Sequence, residues 1–333
     1  MSTLVVGVDI AQDTFVAASW HHGSGQLLGM FPNSDAGFTA LVAALPTVSS
    51  IHLVMEPTGG FELPLAMFAI RRGWRVSLPN PRQVRDFAKG RGRRAKTDPQ
   101  DALVLARFGA EANPPAWQPL PSEVAELESL VRRRDDLQDM LRQERNRQQA
   151  LERRPHQHQS VPRSLERLVD ILTEELAAVE RAIADHINQY TQLAEAARRL
   201  RTLPGVGPQT VAALLVVLWR WQVLTEGEGS AKGLTAYVGL DPQPHQSGTS
   251  VNKPSAISRM GERGLRRKLF MATLGGLRGA SPLRMFYERL VGRGKAKKVA
   301  IVAAMRKLVC WAWVLFRTQS LFDPSKFAYS STA

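Results

Sequence analysis

Four carboxylates and one hydroxyl have the residue types and surroundings for chemistry in this chain. Asp9 sits inside the apolar run LVVGVDI (residues 4–10), where a lone ionised carboxylate is costly unless it is paired or binds a cation. Glu56 closes another apolar run, IHLVME (51–56), just before PTGG; loops after buried strands commonly present functional side chains. Asp98 and Asp101 stand three apart in KTDPQDALVLARF (96–108), which puts both on one face of a helix with Cβ atoms about 5–6 Å apart. Each acid also has a plain structural reading. Asp9 reads as a strand-end acid, Glu56 as a turn residue, and residues 98–101 as an N-cap, a proline at N1 and an acid at N3 answering the helix dipole. Brought to one edge of a sheet, the four would repel one another unless divalent cations neutralised them. All-oxygen ligands favour Mg²⁺ or Mn²⁺ over zinc, and two such ions about 3.5–4 Å apart suit phosphodiester chemistry. The hydroxyl is Ser247, in YVGLDPQPHQSGTS (237–250). With Gly248 it reads either as a turn or as a nucleophile on a loosely structured polar loop. With no histidine–acid dyad evident to activate it, that task would fall to the metal ions.

A polyanionic partner is written in the charge. The 333 residues carry 44 Lys and Arg against 30 Asp and Glu, a formal net charge of +14, which points to nucleic acid. Directly before Asp98, PRQVRDFAKGRGRRAK (81–96) holds Arg82, Arg85, Lys89, Arg91, Arg93, Arg94 and Lys96. Glycines among them suggest a flexible loop that follows a phosphate backbone. RTLPGVGPQTVAALL (201–215) places Gly205 and Gly207 between two helical segments, a helix-hairpin-helix-like pattern able to aim backbone N–H groups at a phosphate, or a plain turn. RGLRRK (263–268), with Arg266, Arg267 and Lys268, and RGKAKK (293–298), with Lys295, Lys297 and Lys298, add basic patches.

Residues 4–80 alternate as β-β-β-α-β-α-β, followed by a helix from Asp98. Three strands joined by short turns and leading into α/β crossovers predict a mixed sheet with helices on both faces, in the order of a ribonuclease-H-like fold. From residue 122 two long amphipathic helices are expected, broken apart at the prolines of PHQHQSVP (155–162). Leu127, Leu130, Arg134, Leu137, Leu141, Glu144, Gln148 and Leu151 share one heptad frame in the first helix. The second carries a stripe of Leu172, Leu176, Val179, Ile183, Tyr190 and Leu193. His156 and His158 are expected in solvent, and Cys310 as a small buried hydrophobe. VAALLVVLW (211–219), read as the longest apolar run, is about half of the ~20 residues that span a bilayer. The strand-like N-terminus shows no signal peptide. No membrane partner and a bacterial cytoplasmic location are therefore expected.

These motifs together resemble the DEDD insertion-sequence transposases, understood as bridge-RNA-guided serine recombinases. GVDIAQDTF, VMEPTGGFELPLA and AKTDPQDALVLARF resemble the family's acid-bearing blocks. RTLPGVGPQTVAALL, YVGLDPQPHQSGTSV, RMGERGLRRKLFMAT and VAIVAAMRKL resemble blocks of its C-terminal transposase domain. The resemblance implies an α/β plus α architecture: a RuvC-like domain over 1–118, a coiled-coil oligomerisation arm over 119–198, and a mainly helical domain over 199–333 delivering the serine. It places the metal-binding tetrad on Asp9, Glu56, Asp98 and Asp101, with Mg²⁺ or Mn²⁺, and the nucleophile on Ser247. It further implies dimers that pair into tetramers, donor and target double-stranded DNA as substrates, and a structured non-coding guide RNA. An RNA-independent DNA invertase, or a Holliday-junction-type metal-dependent endonuclease with the same tetrad, is the alternative. A non-enzymatic nucleic-acid scaffold would need only the basic patches.

Overall fold

The computed structural model describes residues 3–46, 50–91, 98–247 and 251–327. It divides into two compact units: residues up to Pro119 together with Val223–Glu226, and the remainder.

The first unit is built on a five-stranded mixed sheet. Strands β1 (Leu4–Ile10), β2 (Thr14–His21) and β3 (Ser24–Pro32) form the predicted antiparallel meander, while β4 (Ile51–Met55) and β5 (Arg75–Ser77) run parallel to β1. The spatial order β3-β2-β1-β4-β5 is consistent with a ribonuclease-H-like sheet. The β2–β3 turn is two residues, His22 and Gly23, both at positive φ, as a tight hairpin that follows strand twist requires. Val6, Val8, Leu53 and Met55 pack one face onto α1 (Asp35–Ala44) and α2 (Leu63–Arg71) through Phe38, Leu41, Leu65 and Ala66. The opposite face, with Val5, Val54, Val16 and Ala18, is covered by α4 (Asp98–Ala112), and Val84 of α3 (Pro81–Gly90) joins that side.

Helix α3 corrects the flexible-loop expectation for residues 81–90. The Asn80 side chain accepts a hydrogen bond from the Arg82 N–H at 2.9 Å and Pro81 takes the first helical position, a start signal that the basic residues and glycines obscured. Arg93, Arg94 and Lys96 lie outside the described residues.

The second unit is mainly helical. Helices α5 (Ser122–Leu151) and α6 (Ser160–Gln189) form a hairpin whose outer seam holds Leu137, Leu141 and Leu172. Along α5 the buried positions are Val124, Leu127, Val131, Arg134, Leu137, Leu141 and Glu144. Val124 and Val131 are more buried than Leu130 near the start of the helix, because there α5 joins a core shared with later helices. Pro162 does not break α6; it sits in the first turn, where an N–H has no intrahelical partner to lose. Helix α7 (Thr191–Arg201) follows, and then α8 (Pro208–Leu224), which is buried on all sides from Thr210 to Leu218. Around these pack α9 (Ala231–Tyr237), α10 (Arg263–Gly276), α11 (Pro282–Gly292), α12 (Lys297–Thr318) and the short α13 (Pro324–Phe327).

Helix α12 is long and apolar enough to cross a membrane, but half of its apolar window is buried within the fold. Its Ala304, Leu308, Trp311, Ala312 and Leu315 lie in the core of this unit. Arg306 and Lys307 interrupt its apolar run in the sequence. Cys310, on the same helix, is half-buried, and burial pushes its thiol pKa up.

Residues 242–257 are not the expected loop. Strands β6 (Pro242–Ser247) and β7 (Val251–Ile257) form an antiparallel ribbon with Ser247 opposite Val251. Pro244 is passed over at a register shift between Gln243 and His245, and a two-stranded ribbon, all edge, accommodates residues without an N–H.

One buried histidine makes the first unit pH-sensitive. His52 on β4 hydrogen-bonds Ser77 Oγ at 2.8 Å, and Ser77 in turn donates to the Pro115 carbonyl at 2.7 Å. Burial, with the nearby Arg75 charge, lowers its pKa from 6.5 to about 4. The folded state therefore holds the ring neutral, so its contribution is complete above pH 6.5 and is lost as pH falls from there through about 4. The loss is expected to reach roughly 3 kcal/mol, read as a urea-midpoint shift. His52→Gln is expected to flatten that part of the profile; parallel profiles for both proteins would rule out His52 as its source.

Candidate active site

Asp9 and Glu56 are neighbours by strand register. The last pair of the parallel β1–β4 ladder is Val8 with Met55, so the next residue on each strand is one of the two acids. Side chains alternate along a strand. Asp9 therefore shares a face with Val5 and Gly7, and Glu56 with Val54, which is the face covered by α4. Both acids are half-buried.

The direction of α4 brings the other two acids to the same edge. A Cβ built on Gly109 would stand 2.7 Å from Val5 Cγ1 and 2.5 Å from Val54 Cγ2. One built on Gly7 would stand 2.1 Å from the Ala106 nitrogen and 2.2 Å from the Ala102 oxygen. The helix thus runs back along β1, from Gly109 over Val5 to Ala102 over Gly7. One further turn, about 5.4 Å, matches the roughly 6.6 Å from Gly7 to Asp9 along the strand. The first turn of α4, with Asp98 and the half-buried Asp101, stands at the level of Asp9 and Glu56. Asp98 is placed by its backbone alone. The N-terminus of α4 also carries the positive end of its dipole, which favours anionic groups there.

Among the described residues no group of three His, Cys, Asp or Glu stands close enough to hold a metal ion. The donors that reach this edge are nonetheless all carboxylates, from two strand ends and one helix start, which is the chemistry of a hard divalent cation and not of zinc.

Two residues that the sequence reading passed over shape the loops behind the acids. The Asn33 side-chain amide donates to the carbonyls of Ala11 at 3.1 Å, Gln12 at 3.4 Å and Phe61 at 3.1 Å. The buried Glu62 carboxylate accepts the Thr58 N–H at 2.9 Å and the Gly60 N–H at 3.0 Å. Gly59 and Gly60 between them have φ of +69° and +107°, open to glycine at little cost. A PTGG tetrapeptide hinted at the turn; nothing local hinted at Asn33, whose acceptors are main-chain atoms of distant segments.

The expected nucleic-acid residues sort by surroundings. On α3, Arg82, Arg85 and Lys89 share one exposed face, with Val84 buried behind them. Arg91 pairs with Glu111 and lies 5.5 Å from the Phe87 ring. Lys295, Lys297 and Lys298 are exposed at the turn into α12, whose start has no side-chain cap. Gly205, at φ +78°, lies against the α10 backbone, where a Cβ would meet Ala272 O at 2.0 Å; Gly207 has open space beside it. The α10 residues are engaged by the fold, Arg267 at its surface. Lys268 is 8% exposed and paired with Asp135, and burial lowers its pKa. Asp135 also accepts from the buried Arg134 guanidinium at 2.9 Å. Arg267 meets Asp139 at 3.0 Å, and Arg266 donates to the carbonyls of Val238 and Gly261. Ser247 ends β6 in the second unit, placed by its backbone, and Gly248 lies outside the described residues.

Comparison with known proteins agrees across most of the length. Residues 6–154 match a transposase family of the DEDD, IS110 type, and residues 197–288 match the transposase IS116/IS110/IS902 family. The chain is 36% identical over 332 residues to the pilin gene-inverting protein of Moraxella lacunata, covering 97% of this chain and 98% of that one. The Moraxella bovis protein of the same name matches to the same extent. The transposase for insertion sequence element IS1328 of Yersinia enterocolitica is 25% identical over 294 residues, 80% of this chain and 81% of that one.

Gly7→Ala tests the contact that sets α4 on the sheet. The variant is expected to lose about 3 kcal/mol, the upper end of overpacking costs, with hydrogen-exchange protection falling across residues 102–109. Unchanged protection and a stability change within about 0.5 kcal/mol would show that α4 does not rest on Gly7.

Proposed function

The chain belongs to the IS110 family of transposases, a family of DNA recombinases, and on that premise we propose that it cuts and rejoins DNA through a serine–phosphate linkage. The observation that carries this reading is the meeting of Asp9, Glu56 and the first turn of α4 at one sheet edge. Asp9, Glu56, Asp98 and Asp101 would hold Mg²⁺ or Mn²⁺, whose chemistry when bound is to neutralise charge developing on a reacting phosphodiester. The acids fix the positions of that charge. The basic face of α3, at Arg82, Arg85 and Lys89, and the lysines at the start of α12 hold the flanking phosphates. An uncapped helix start flanked by lysines supports anion binding there, since those cations oppose the dipole until an anion is present.

Ser247 attacks the phosphorus. Its Oγ–P bond forms, the P–O bond to the departing strand end breaks, and the hydroxyl proton leaves as that strand end is protonated. A free hydroxyl of the exchanged strand then attacks the phosphoserine, which restores the serine and seals the joint. The position of Ser247 at the end of a narrow antiparallel ribbon, and not within the helical core, supports this reading. Copies pair through the α5–α6 hairpin into dimers and tetramers, and a structured guide RNA pairs with donor and target DNA, which leaves sequence choice to base pairing. Lys268 is not among the proposed nucleic-acid contacts, because Asp135 already takes up its charge. The bacterial cytoplasm is the proposed location.

A second reading is favoured by one observation, the full-length similarity to proteins named for gene inversion. It makes the reaction an inversion of a DNA segment, without an RNA guide.

Protein purified together with its co-purifying RNA, supercoiled donor and target DNA, and Mn²⁺ test the chemistry on denaturing gels. Asp9→Asn, Glu56→Gln, Asp98→Asn and Asp101→Asn are each expected to reduce cleavage by at least the roughly 100-fold that loss of an outer partner alone can cost. Ser247→Ala is expected to abolish both cleavage and protein-linked DNA. Cleavage by Ser247→Ala without a protein–DNA adduct would identify a water-using endonuclease. Recombination that survives ribonuclease treatment would favour unguided inversion.

A further inference from the structure

We infer that Asn33 is a positioning residue for the acidic edge, a clip that holds the loop after Asp9 against the loop after Glu56. The inference rests on the proposed metal-binding role of these acids. Val8 and Met55 are the last pair of the β1–β4 ladder, so the chain beyond Asp9 and Glu56 is held by its loops and not by further strand pairs. Asn33 supplies what the ladder no longer does. Its side-chain nitrogen reaches the carbonyls of Ala11 and Gln12, two and three residues after Asp9, and of Phe61, five residues after Glu56. Its own backbone N–H donates to the Asp13 carbonyl at 2.8 Å.

Both clipped loops are stiff, so a tie between them sets the spacing of the acids. The β1–β2 turn is closed by the Ala11 N–H on the Thr14 carbonyl at 2.9 Å. The β4–α2 loop is wrapped on the Glu62 carboxylate, and Thr58 Oγ1 donates to the Glu56 carbonyl at 3.1 Å. Three carbonyl oxygens facing one side-chain atom require a donor there, which fixes the amide's orientation. Aspartate would turn an oxygen towards those carbonyls, and alanine would leave them without the donor. The Asn33 Oδ1 atom is buried with no hydrogen-bond partner among the described residues.

The test uses the full chain, with Mn²⁺ alone as the probe, in the absence of nucleic acid. Asn33→Ala and Asn33→Asp are compared with Asn113→Ala. Asn113 accepts a hydrogen bond from Arg75 at 2.7 Å at the opposite end of the same sheet. Both Asn33 variants are expected to weaken Mn²⁺ binding, followed by electron paramagnetic resonance, by about tenfold or more. They are also expected to speed amide exchange in residues 11–13 and 58–61 together while the β1–β4 ladder stays protected. Asn113→Ala is expected to change stability but to leave Mn²⁺ binding within about twofold. Mn²⁺ binding by Asn33→Ala that matches wild type, or an equal loss in Asn113→Ala, would overturn the inference. Absence of Mn²⁺ binding by the wild-type chain would refute the metal reading instead. Exchange then decides on the clip: unchanged rates in either loop of Asn33→Ala overturn it, and faster rates in both sustain it.

Discussion

Everything at the acidic edge depends on how closely one helix lies on one strand. Gly7 has no Cβ, and the Ala102–Ala106 turn of α4 occupies the space that a Cβ would need. That contact fixes both the height and the direction of α4 over the sheet. Its first turn consequently arrives where β1 and β4 end, and not half a sheet away. A side chain at position 7 would lift the helix, and the carboxylates it carries would leave the level of Asp9 and Glu56. The apolar contacts of Val5, Val54, Leu105 and Phe108 then secure the helix along its length. The elements that carry the acids are thus set in place by packing.

The second unit handles charge differently. Its long hairpin meets the helical core through ion pairs: Arg220 with Glu128, Lys268 with Asp135, and Arg267 with Asp139. The first two are partly buried, and such pairs contribute modestly to stability and cost much more when one partner is removed; the third is exposed and contributes little. They fix the register of α5 on α8 and α10, which apolar contacts alone would leave more tolerant. Several residues of a strongly basic segment are consequently paired within the fold, while Arg82 and Lys89 of α3, both beside Asp86, Arg85 and the lysines at the α12 start stand at the surface.

Much of this was legible in the sequence. The strands of the first unit announce themselves by β-branched apolar runs, and the Asp98-Pro99 start of α4 by its helix-start chemistry, so the acids could be named. What was hidden has identifiable causes. Helix α3 was masked by its charge, although Asn80-Pro81 is a cap signal. The β6–β7 ribbon was masked by prolines that only an edge-rich pairing tolerates. The burial of Lys268 depends on Asp135, 133 residues away, and the role of Asn33 depends on three backbone carbonyls with no sequence signature. Heptad spacing located the hairpin, but it could not tell that the first turns of α5 would face a third helix.

The central claim is that Asp9, Glu56 and the start of α4 form one cation-binding edge. Paramagnetic broadening by Mn²⁺ in amide spectra of the deuterated full chain reads it directly. The account predicts broadening centred on residues 9–12, 56–58 and 98–102, with His21, His52 and Arg75 at the far end of the sheet left sharp. Broadening centred on the far end, or the same pattern persisting in an Asp9→Asn, Asp101→Asn double variant, would contradict it.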